Sequence, residues 1–218
     1  MDSQDILTLE EVAELLKVSV RTIISWVEKE GFPGGKLGTS WRFMRSDVEK
    51  WVIERVSSRD VNVDASIALQ KYFSVNNIFL KEFSCQKDVF EFLVQRAASD
   101  LKLNGDDLLE KVWQREALMS TGIGCSIGLP HIRLPELQKI HVYVAFSQTP
   151  IIDYMTMDDK PVHVVAFIAA GTNVQVEYLK FLSIFTGILK NRETRERLLG
   201  CRTVQCIHTE MLALHQVA

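Results

Sequence analysis

The chain has 218 residues, of which 47% are hydrophobic, and a formal net charge of −3 at pH 7. This length and composition indicate a globular protein with one large or two modest domains. The charge excludes a protein that is basic over its whole surface, so any nucleic-acid binding has to come from a local patch.

The sequence carries no pattern of export or membrane insertion. Residues Met1 to Asp5 are acidic without an apolar signal core, and the apolar run Val164 to Ala170 is too short to cross a bilayer. The four cysteines are Cys85, Cys125, Cys201 and Cys206. They form no C-x-x-C pair and have no metal-ligand spacing with histidine. We therefore expect a cytoplasmic protein with reduced, mostly buried thiols, no membrane span, no metal and no cofactor.

Residues 6 to 52 have the pattern of a small helical DNA-binding unit. Thr8 and Glu11 predict a capping box at the start of a short amphipathic helix. Ser19 predicts the cap of a second helix, which follows the first almost at once. Two short helices with almost no connector predict a helix-turn-helix.

The segment after the second helix completes this unit. Lys36 to Arg45 predicts a two-stranded wing, and Asp47 is predicted to open a third helix. With Trp26, Trp41-Arg42-Phe43 and the run from Asp47 to Trp51, the order of elements resembles the excisionase and MerR-type winged helix-turn-helix family. The resemblance implies DNA binding through the second helix and the wing. Because such units commonly bind DNA as dimers, a homodimer is one expected assembly.

The charge distribution supports DNA contact in part. Residues 18 to 46 carry five basic and two acidic side chains, although the first helix is acidic. In the docking geometry of the family, one group of side chains faces base edges and another meets phosphates. The first group is Arg21, Thr22 and Ser25, and the second is Lys36, Arg42 and Arg45. Two alternatives stay open: the unit binds a protein instead, and Trp41 and Arg42 serve packing of the wing.

Glycine and hydroxyl residues lie close together between Ser120 and His131. Glycines can turn backbone N–H groups toward an anion, and Ser120, Thr121 and Ser126 add hydroxyl donors. The neutral imidazole of His131 can attack phosphorus and carry the phosphoryl group, while Pro130 fixes the backbone before it. This run predicts a phosphorylation site on His131.

The residues alone leave two other interpretations open. Gly124 to Gly128 satisfies the nucleophile-elbow pattern G-x-S-x-G around Ser126, and Asp153 and His208 follow in the order of a serine hydrolase. This pattern is short, and no long β-rich run precedes it. The other interpretation is a glycine-rich turn that ends in a structural histidine.

Arg115-Glu116, Ser120-Thr121-Gly122-Ile123-Gly124 and Pro130-His131 resemble the phosphoacceptor signature of the fructose/mannitol-type enzyme IIA family of the bacterial phosphotransferase system, including its nitrogen-regulatory branch. The similarity runs from about Ser66 to the C-terminus. It implies that His131 takes a phosphoryl group from a phosphocarrier protein such as HPr. It also implies that Arg115 and Thr121 hold the phosphoryl oxygens, with Ser120 as a further hydroxyl donor. Such a domain accepts and carries a phosphoryl group more than it turns over a substrate.

One position departs from the family pattern. A second histidine usually lies beside the phosphoacceptor, near the start of a late helix, and the matching position here is Tyr178. Tyrosine can donate a hydrogen bond to a phosphoryl oxygen, but it cannot become cationic. Charge stabilisation then depends on Arg115. The departure favours a sensing domain, since a regulator has to be phosphorylated but need not pass the group on.

The remaining pattern predicts an α/β fold. Helices are predicted over Phe83–Leu101 and over Leu108–Ala117, the second capped by the run Asn104 to Asp107. Strands are predicted over Ile140–Phe146 and Val162–Ile168, the second strand central in the sheet. A late helix, Val176–Lys190, is predicted to be buried against that sheet.

The expected architecture is an enzyme IIA-like mixed sheet flanked by helices, preceded by a small winged helix-turn-helix domain. The predicted boundaries are 1–56 for the winged unit, 57–65 for a linker and 66–218 for the phosphoacceptor domain. The predicted function is a phosphotransferase-system regulator that couples phosphorylation of His131 to DNA binding. The alternative is a phosphocarrier whose N-terminal module docks to a protein.

Overall fold

The structure is a computed structural model that describes residues 6–16, 18–56, 69 and 71–213. The chain divides into two units. The first comprises Met1–Asp60 together with Gln175–Thr186, and the second comprises Val61–Val174 and Gly187–Ala218. The predicted linker, 57–65, lies outside the described residues.

The N-terminal part of the first unit contains a small antiparallel sheet and helices. The elements are β1 (Ile6–Thr8), α1 (Leu9–Leu16), α2 (Val20–Lys29), β2 (Gly35–Leu37), β3 (Ser40–Met44) and α3 (Arg45–Val56). Both predicted caps are confirmed. Thr8 N donates to Glu11 Oε2 at 2.7 Å and Glu11 N to Thr8 Oγ1 at 3.2 Å, while Ser19 Oγ accepts from Thr22 N at 3.1 Å. Local capping chemistry therefore sets where α1 and α2 begin.

The predicted wing is confirmed as the hairpin of β2 and β3. Gly38 takes a φ of 66° at its turn, a conformation that favours glycine. One strand was not predicted, because β1 is too short to show a period-two pattern, yet it pairs antiparallel with β3. The predicted start of the third helix is wrong by two residues: α3 begins at Arg45. Asp47 lies in its first turn, where the partial positive charge of the helix N-terminus favours a carboxylate.

Aromatic rings form the core between the wing and the helices of this unit. The Phe32 ring lies 4.7 Å from that of Trp51, 5.7 Å from that of Phe43 and 5.9 Å from that of Trp26, between centroids. Such pairs contribute about 0.5–1.5 kcal/mol each beyond the area they bury. This cluster fixes the wing strand β3 against helices α2 and α3.

The second unit contains a six-stranded mixed sheet. Its strands are β4 (Ile78–Leu80), β5 (Gly122–Gly124), β6 (Ile127–Gly128), β7 (His131–Leu134), β8 (Ile140–Ile151) and β9 (Val162–Gly171). The order is β4-β8-β9-β6-β5, with β7 also paired to β9. β9 is central, as its nearly continuous apolar run predicted, and it is antiparallel to β8 but parallel to β6 and β7.

Two helices pack next to this sheet. They are α4 (Gln86–Leu101), which contacts β8 and β9, and α5 (Gly105–Leu118), which contacts α4 and β7. The predicted cap of α5 is confirmed, because Asn104 Oδ1 accepts from Asp106 N at 3.0 Å and Asp107 N at 3.1 Å. The predicted start of α4 at Phe83 is wrong: the helix begins at Gln86, whose N–H donates to the distant Asp153 Oδ1 at 2.8 Å.

Three further helices follow β9. They are α6 (Gln175–Lys190), α7 (Arg192–Gly200) and α8 (Val204–Ala213). The span of α6 agrees with the prediction, and Tyr178, Phe181 and Phe185 are buried. Because Gln175–Thr186 groups with the first unit, burial of α6 against the sheet stays a prediction.

The expectation that every cysteine is a reduced, mostly buried thiol is wrong. Cys201 and Cys206 form a disulfide, with their Cα atoms 5.6 Å apart. The short turn between α7 and α8 brings them into bridging range, which a spacing of five residues does not reveal. Cys85 and Cys125 are free, and both are half-buried.

Candidate functional site

The predicted phosphorylation loop folds as a tight β-hairpin. β5 pairs antiparallel with β6, and the turn residues Cys125 and Ser126 have φ values of 54° and 65°. Two consecutive positive φ values are typical of a two-residue hairpin turn. Cys125 N donates to Asp158 Oδ2 at 2.9 Å. At this turn the Cys125 N–H thus bonds to the protein's own carboxylate, and the expectation that the loop offers N–H groups to a ligand anion stays a prediction.

This hairpin does not have the geometry of a nucleophile elbow. An elbow places its serine between a strand and a helix, whereas Ser126 lies between two strands. Asp153 accepts from Gln86 N, and the His208 ring stacks on Phe73 with centroids 6.4 Å apart. Asp153 and His208 thus take part in separate structural contacts.

His131 is the first residue of β7, opposite Ile168 of β9. Its Nδ1 lies 2.9 Å from Leu129 O. A carbonyl oxygen only accepts, so Nδ1 carries the proton and the lone pair of the neutral ring belongs to Nε2. The side chain is half-buried, with the Nε2 atom itself buried. The backbone therefore selects the nucleophilic nitrogen, and a donor reaches it only when this atom is uncovered.

A carboxylate at the end of α5 holds the residues that lead into the hairpin. Glu116 accepts from Thr121 N at 3.1 Å, from Thr121 Oγ1 at 2.6 Å and from Ser120 Oγ at 2.9 Å. Gln86 Nε2, from α4, donates to Glu116 Oε1 at 2.9 Å. Bonds to an ionised carboxylate are about twice as strong as neutral ones. Glu116 therefore ties two helices to the start of the hairpin.

The hydroxyl of Thr121 also meets a buried tyrosine. Its Oγ1 lies 2.6 Å from the hydroxyl of Tyr154. Since Thr121 gives its only proton to the carboxylate, Tyr154 is the donor in this second bond. Burial, with the nearby charge of Glu116, raises the pKa of Tyr154 well above its ordinary value. The phenol thus stays protonated and keeps donating.

Three predicted site residues lie at the end of α5 and just after it. Arg115 lies in the last turn of α5, where its Nη1 donates to Met119 O at 3.1 Å. Ser120 and Thr121 follow the end of this helix. Because their hydroxyls have the partners described above, their contact with phosphoryl oxygens stays a prediction. Tyr178 is fully buried on α6. Because it belongs to the first unit, its place beside His131 also stays a prediction.

Glu116 and Tyr154 were missed as site residues. Glu116 is part of the recognised signature, and it lies only four and five residues before Ser120 and Thr121, so its contacts with their hydroxyls are local in the sequence. Tyr154 lies 33 residues from Thr121 in the chain. No local pattern pairs residues at that distance, so only the fold reveals this contact.

The predicted DNA-contact residues lie on α2 and in the wing region. Arg21 and Lys36 are exposed, while Thr22, Ser25, Arg42 and Arg45 are half-buried. Arg42 Nη1 donates to Trp41 O at 2.8 Å, and Lys36 Nζ lies 5.1 Å from the centre of the Trp41 ring. Arg21 is thus open for contact, whereas Lys36 and Arg42 also have contacts within the wing.

Two arrangements are absent from the described residues. Among residues 6–16, 18–56, 69 and 71–213, no helix combines the length and the apolar character needed to cross a bilayer. In the same ranges, no group of three or more histidine, cysteine or acidic side chains could hold a metal ion.

Two family models match the chain in separate regions. The phosphoenolpyruvate-dependent sugar phosphotransferase system EIIA 2 model matches residues 71–212, and a helix-turn-helix domain model matches residues 6–56. The first match covers more than half of the chain and contains the hairpin, Glu116 and His131.

Individual proteins agree with this assignment. The chain is 31% identical over 129 residues to a nitrogen regulatory protein of Bradyrhizobium diazoefficiens, covering 59% of this chain and 83% of the relative. It is 30% identical over 132 residues to a fructose-specific EIIA component of Haloferax volcanii, covering 60% of this chain and 85% of the relative. Among solved structures, the nitrogen regulatory protein IIA-Ntr from Neisseria meningitidis has the same fold, with a TM-score of 0.59 and 23% identity over 63% of this chain and 94% of that chain. The chain belongs to the EIIA 2 family of the phosphoenolpyruvate-dependent sugar phosphotransferase system, joined to an N-terminal helix-turn-helix domain.

Proposed function

We propose that this protein is a phosphotransferase-system regulator, phosphorylated on His131 by a phosphocarrier protein and coupling that state to DNA binding. The hydrogen bond from His131 Nδ1 to Leu129 O carries the proposal, because it leaves the lone pair on Nε2. In the transfer, this lone pair forms the N–P bond while the donor's bond to phosphorus breaks and its electron pair returns to the donor. Nδ1 keeps its proton throughout.

The other predicted site residues have roles that depend on charge and hydrogen bonding. Arg115 neutralises the incoming phosphoryl oxygens, and the hydroxyls of Ser120 and Thr121 donate to them after exchanging their present partners, while the backbone N–H of Thr121 keeps its bond to Glu116. Tyr178 adds one neutral donor. Because tyrosine supplies no positive charge, we propose a domain that receives a phosphoryl group as a signal. The nitrogen regulatory relative favours nitrogen control over sugar uptake as that signal.

Exposed apolar side chains near the hairpin favour a protein as the phosphoryl donor. Leu118 is 66% exposed, Met155 75% and Ile152 78%. Ser120 Oγ lies 2.7 Å from Met155 O, so these residues border the segment that leads to the hairpin. A standard interface covers roughly 800 Å² on each partner. A carrier with a matching apolar face therefore fits this surface better than a small phosphorylated metabolite does.

The donor is tested by intact-mass analysis. We expect incubation with phosphorylated HPr, or with its nitrogen-branch counterpart, to add one phosphoryl group that is lost in acid and kept in base. The faster of the two donors identifies the branch to which the protein belongs. If neither carrier labels the chain, phosphorylation by such carriers is wrong.

DNA contact is tested by two substitutions with different signatures. Arg21→Ala is expected to cost about 1–3 kcal/mol at a specific site, because a bidentate base contact is lost. Lys36→Ala is expected to weaken binding to all sequences and to lower the salt slope. Titrations with operator and random DNA measure both, and exposed Lys87→Ala in the second unit is the charge-matched control. Equal losses on both DNAs for Arg21→Ala would reduce it to a phosphate contact.

Coupling between phosphorylation and DNA binding is tested by affinity at two salt concentrations. Phosphorylation adds roughly −1.5 to −2 charges at pH 7, but salt screens exposed charges beyond about 8 Å at physiological strength. We therefore expect a difference in affinity that persists in moderate salt and reflects a rearranged interface. A difference that disappears in moderate salt would point to plain electrostatics.

The alternative is a phosphocarrier whose N-terminal unit docks to a protein. The acidic first turn of α1, with Glu10 and Glu11, favours it over DNA contact at that helix. No DNA binding by the full-length protein at low salt, together with normal labelling of His131, would support this alternative. In either case we propose a cytoplasmic protein, and a homodimer if the DNA site is a two-fold repeat.

A further inference from the structure

We propose that Glu116 is a positioning residue that aligns His131 for phosphoryl transfer through Thr121 and Leu129. The inference rests on the proposed function, and it assigns to Glu116 a role beyond its place in the signature. Glu116 itself takes no part in bond making. It acts by fixing a short series of hydrogen bonds that ends at the imidazole.

The first link joins the carboxylate to Thr121. Both the backbone N–H and the hydroxyl of Thr121 donate to Glu116, at 3.1 Å and 2.6 Å. Gln86 donates to the same carboxylate from α4 at 2.9 Å, which fixes Glu116 from the other side. Thr121 is buried, so its groups have no water to replace these partners. Its position is therefore defined by the carboxylate.

The second link crosses the base of the hairpin. Leu129 N donates to Thr121 O at 3.0 Å, next to the pairing of Gly122 with Gly128. Leu129 is buried, and it directly precedes Pro130, whose ring restricts the backbone. A displacement of Thr121 therefore moves Leu129 with it.

The third link sets the imidazole. Leu129 O accepts from His131 Nδ1 at 2.9 Å, and this bond fixes both the tautomer and the orientation of the ring. A reacting atom misplaced by about 1 Å can lower a rate by about 100-fold. The Glu116 carboxylate thus influences the position of the His131 ring through Thr121 and Leu129. These two residues contribute mainly backbone atoms to the series of hydrogen bonds.

A glutamine at position 116 cannot reproduce this arrangement. Its amide has one acceptor oxygen in place of two, and its NH₂ group only donates. At least one of the donors on Ser120, Thr121 and Gln86 then faces another donor. Aspartate keeps the charge and both oxygens, but it is one methylene shorter. Glu116→Gln should therefore disturb His131 more than Glu116→Asp does.

The test compares full-length variants in two measurements. For Glu116→Gln, we expect the maximal single-turnover rate of labelling by the phosphorylated carrier to fall about 10- to 100-fold, while the carrier concentration that gives the half-maximal rate stays nearly unchanged. We also expect ¹⁵N NMR of His131, recorded without donor, to show a smaller fraction of the Nδ1-protonated tautomer. Compared with Glu116→Gln, Glu116→Asp should recover part of the labelling rate and part of the Nδ1-protonated fraction. Glu110→Gln removes the same charge from the same helix and is the matched control.

The outcomes separate this inference from the proposed function. A Glu116→Gln variant with the wild-type tautomer fraction and the wild-type labelling rate would overturn the positioning role. A wild-type protein that no carrier labels would overturn the proposed function and leave the tautomer measurement valid. Thermal unfolding shows whether Glu116→Gln folds. If it does not, Glu116→Asp decides, since a folded variant with the wild-type tautomer fraction and labelling rate would contradict the alignment.

Discussion

His131→Ala is expected to abolish phosphoryl transfer to this protein. The substitution removes Nε2, the nitrogen that carries the lone pair when Nδ1 donates to Leu129 O. No neighbouring hydroxyl replaces an imidazole near neutral pH, because serine and threonine need a base to become nucleophiles. The measurement is the mass or radiolabel of the full-length chain after incubation with the phosphorylated carrier.

His163→Ala is the matched control for this experiment. His163 lies on β9 of the same sheet, is half-buried, and its Nδ1 also bonds to a backbone oxygen, that of Ser147 at 2.9 Å. We expect it to label as the wild type does. Labelling of His131→Ala at the wild-type level would contradict the assignment of the nucleophile. The free thiol of Cys125, half-buried at the hairpin turn, would then be the next nucleophile to substitute.

Gly128→Ala is expected to lower the free energy of unfolding by about 1–3 kcal/mol or more and to slow labelling of His131. A Cβ atom at this position would lie 2.5 Å from ring atoms of Tyr154. That ring is buried, and its hydroxyl is bonded to Thr121, so it cannot move away without disturbing the start of the hairpin. Urea denaturation measures the first effect and a labelling time course the second.

Gly200→Ala provides the contrast, because a Cβ atom there meets nothing within 4 Å. It is the last residue of helix α7, where the preference for alanine is smaller than the roughly 0.5–1 kcal/mol of a helix interior. We expect unchanged or slightly raised stability and normal labelling. Equal unfolding midpoints for the two variants would show that the sheet accommodates the added methyl group, contrary to the contact with Tyr154.

Short-range chemistry explains the parts of the fold that the sequence predicted well. The capping residues Thr8, Ser19 and Asn104 act on N–H groups two or three positions away. Such signals are complete within one window of sequence. The buried strand β9 is visible for a similar reason, since its apolar run needs no partner to be recognised.

Contacts between distant segments explain most of what was missed. Asp153 bonds to the first N–H of α4 across 67 positions, and Tyr154 meets Thr121 across 33. Neither pair leaves a pattern in a single sequence. At the site, residue chemistry was enough to select His131, but the choice between its two nitrogens depends on Leu129 O and needed coordinates. The Cys201–Cys206 bond likewise depends on how one helix follows another.

The buried phenol of Tyr154 has a consequence for reading pH dependence. Because its pKa is raised well above the ordinary value, it does not titrate between about pH 5 and 9. Over that interval the phenol keeps its proton and remains able to donate to Thr121. A break near neutral pH in a rate profile for labelling therefore does not come from Tyr154. Repeating the profile with a second carrier shows whether the break belongs to this protein or to the donor, since only a break of the acceptor keeps its position.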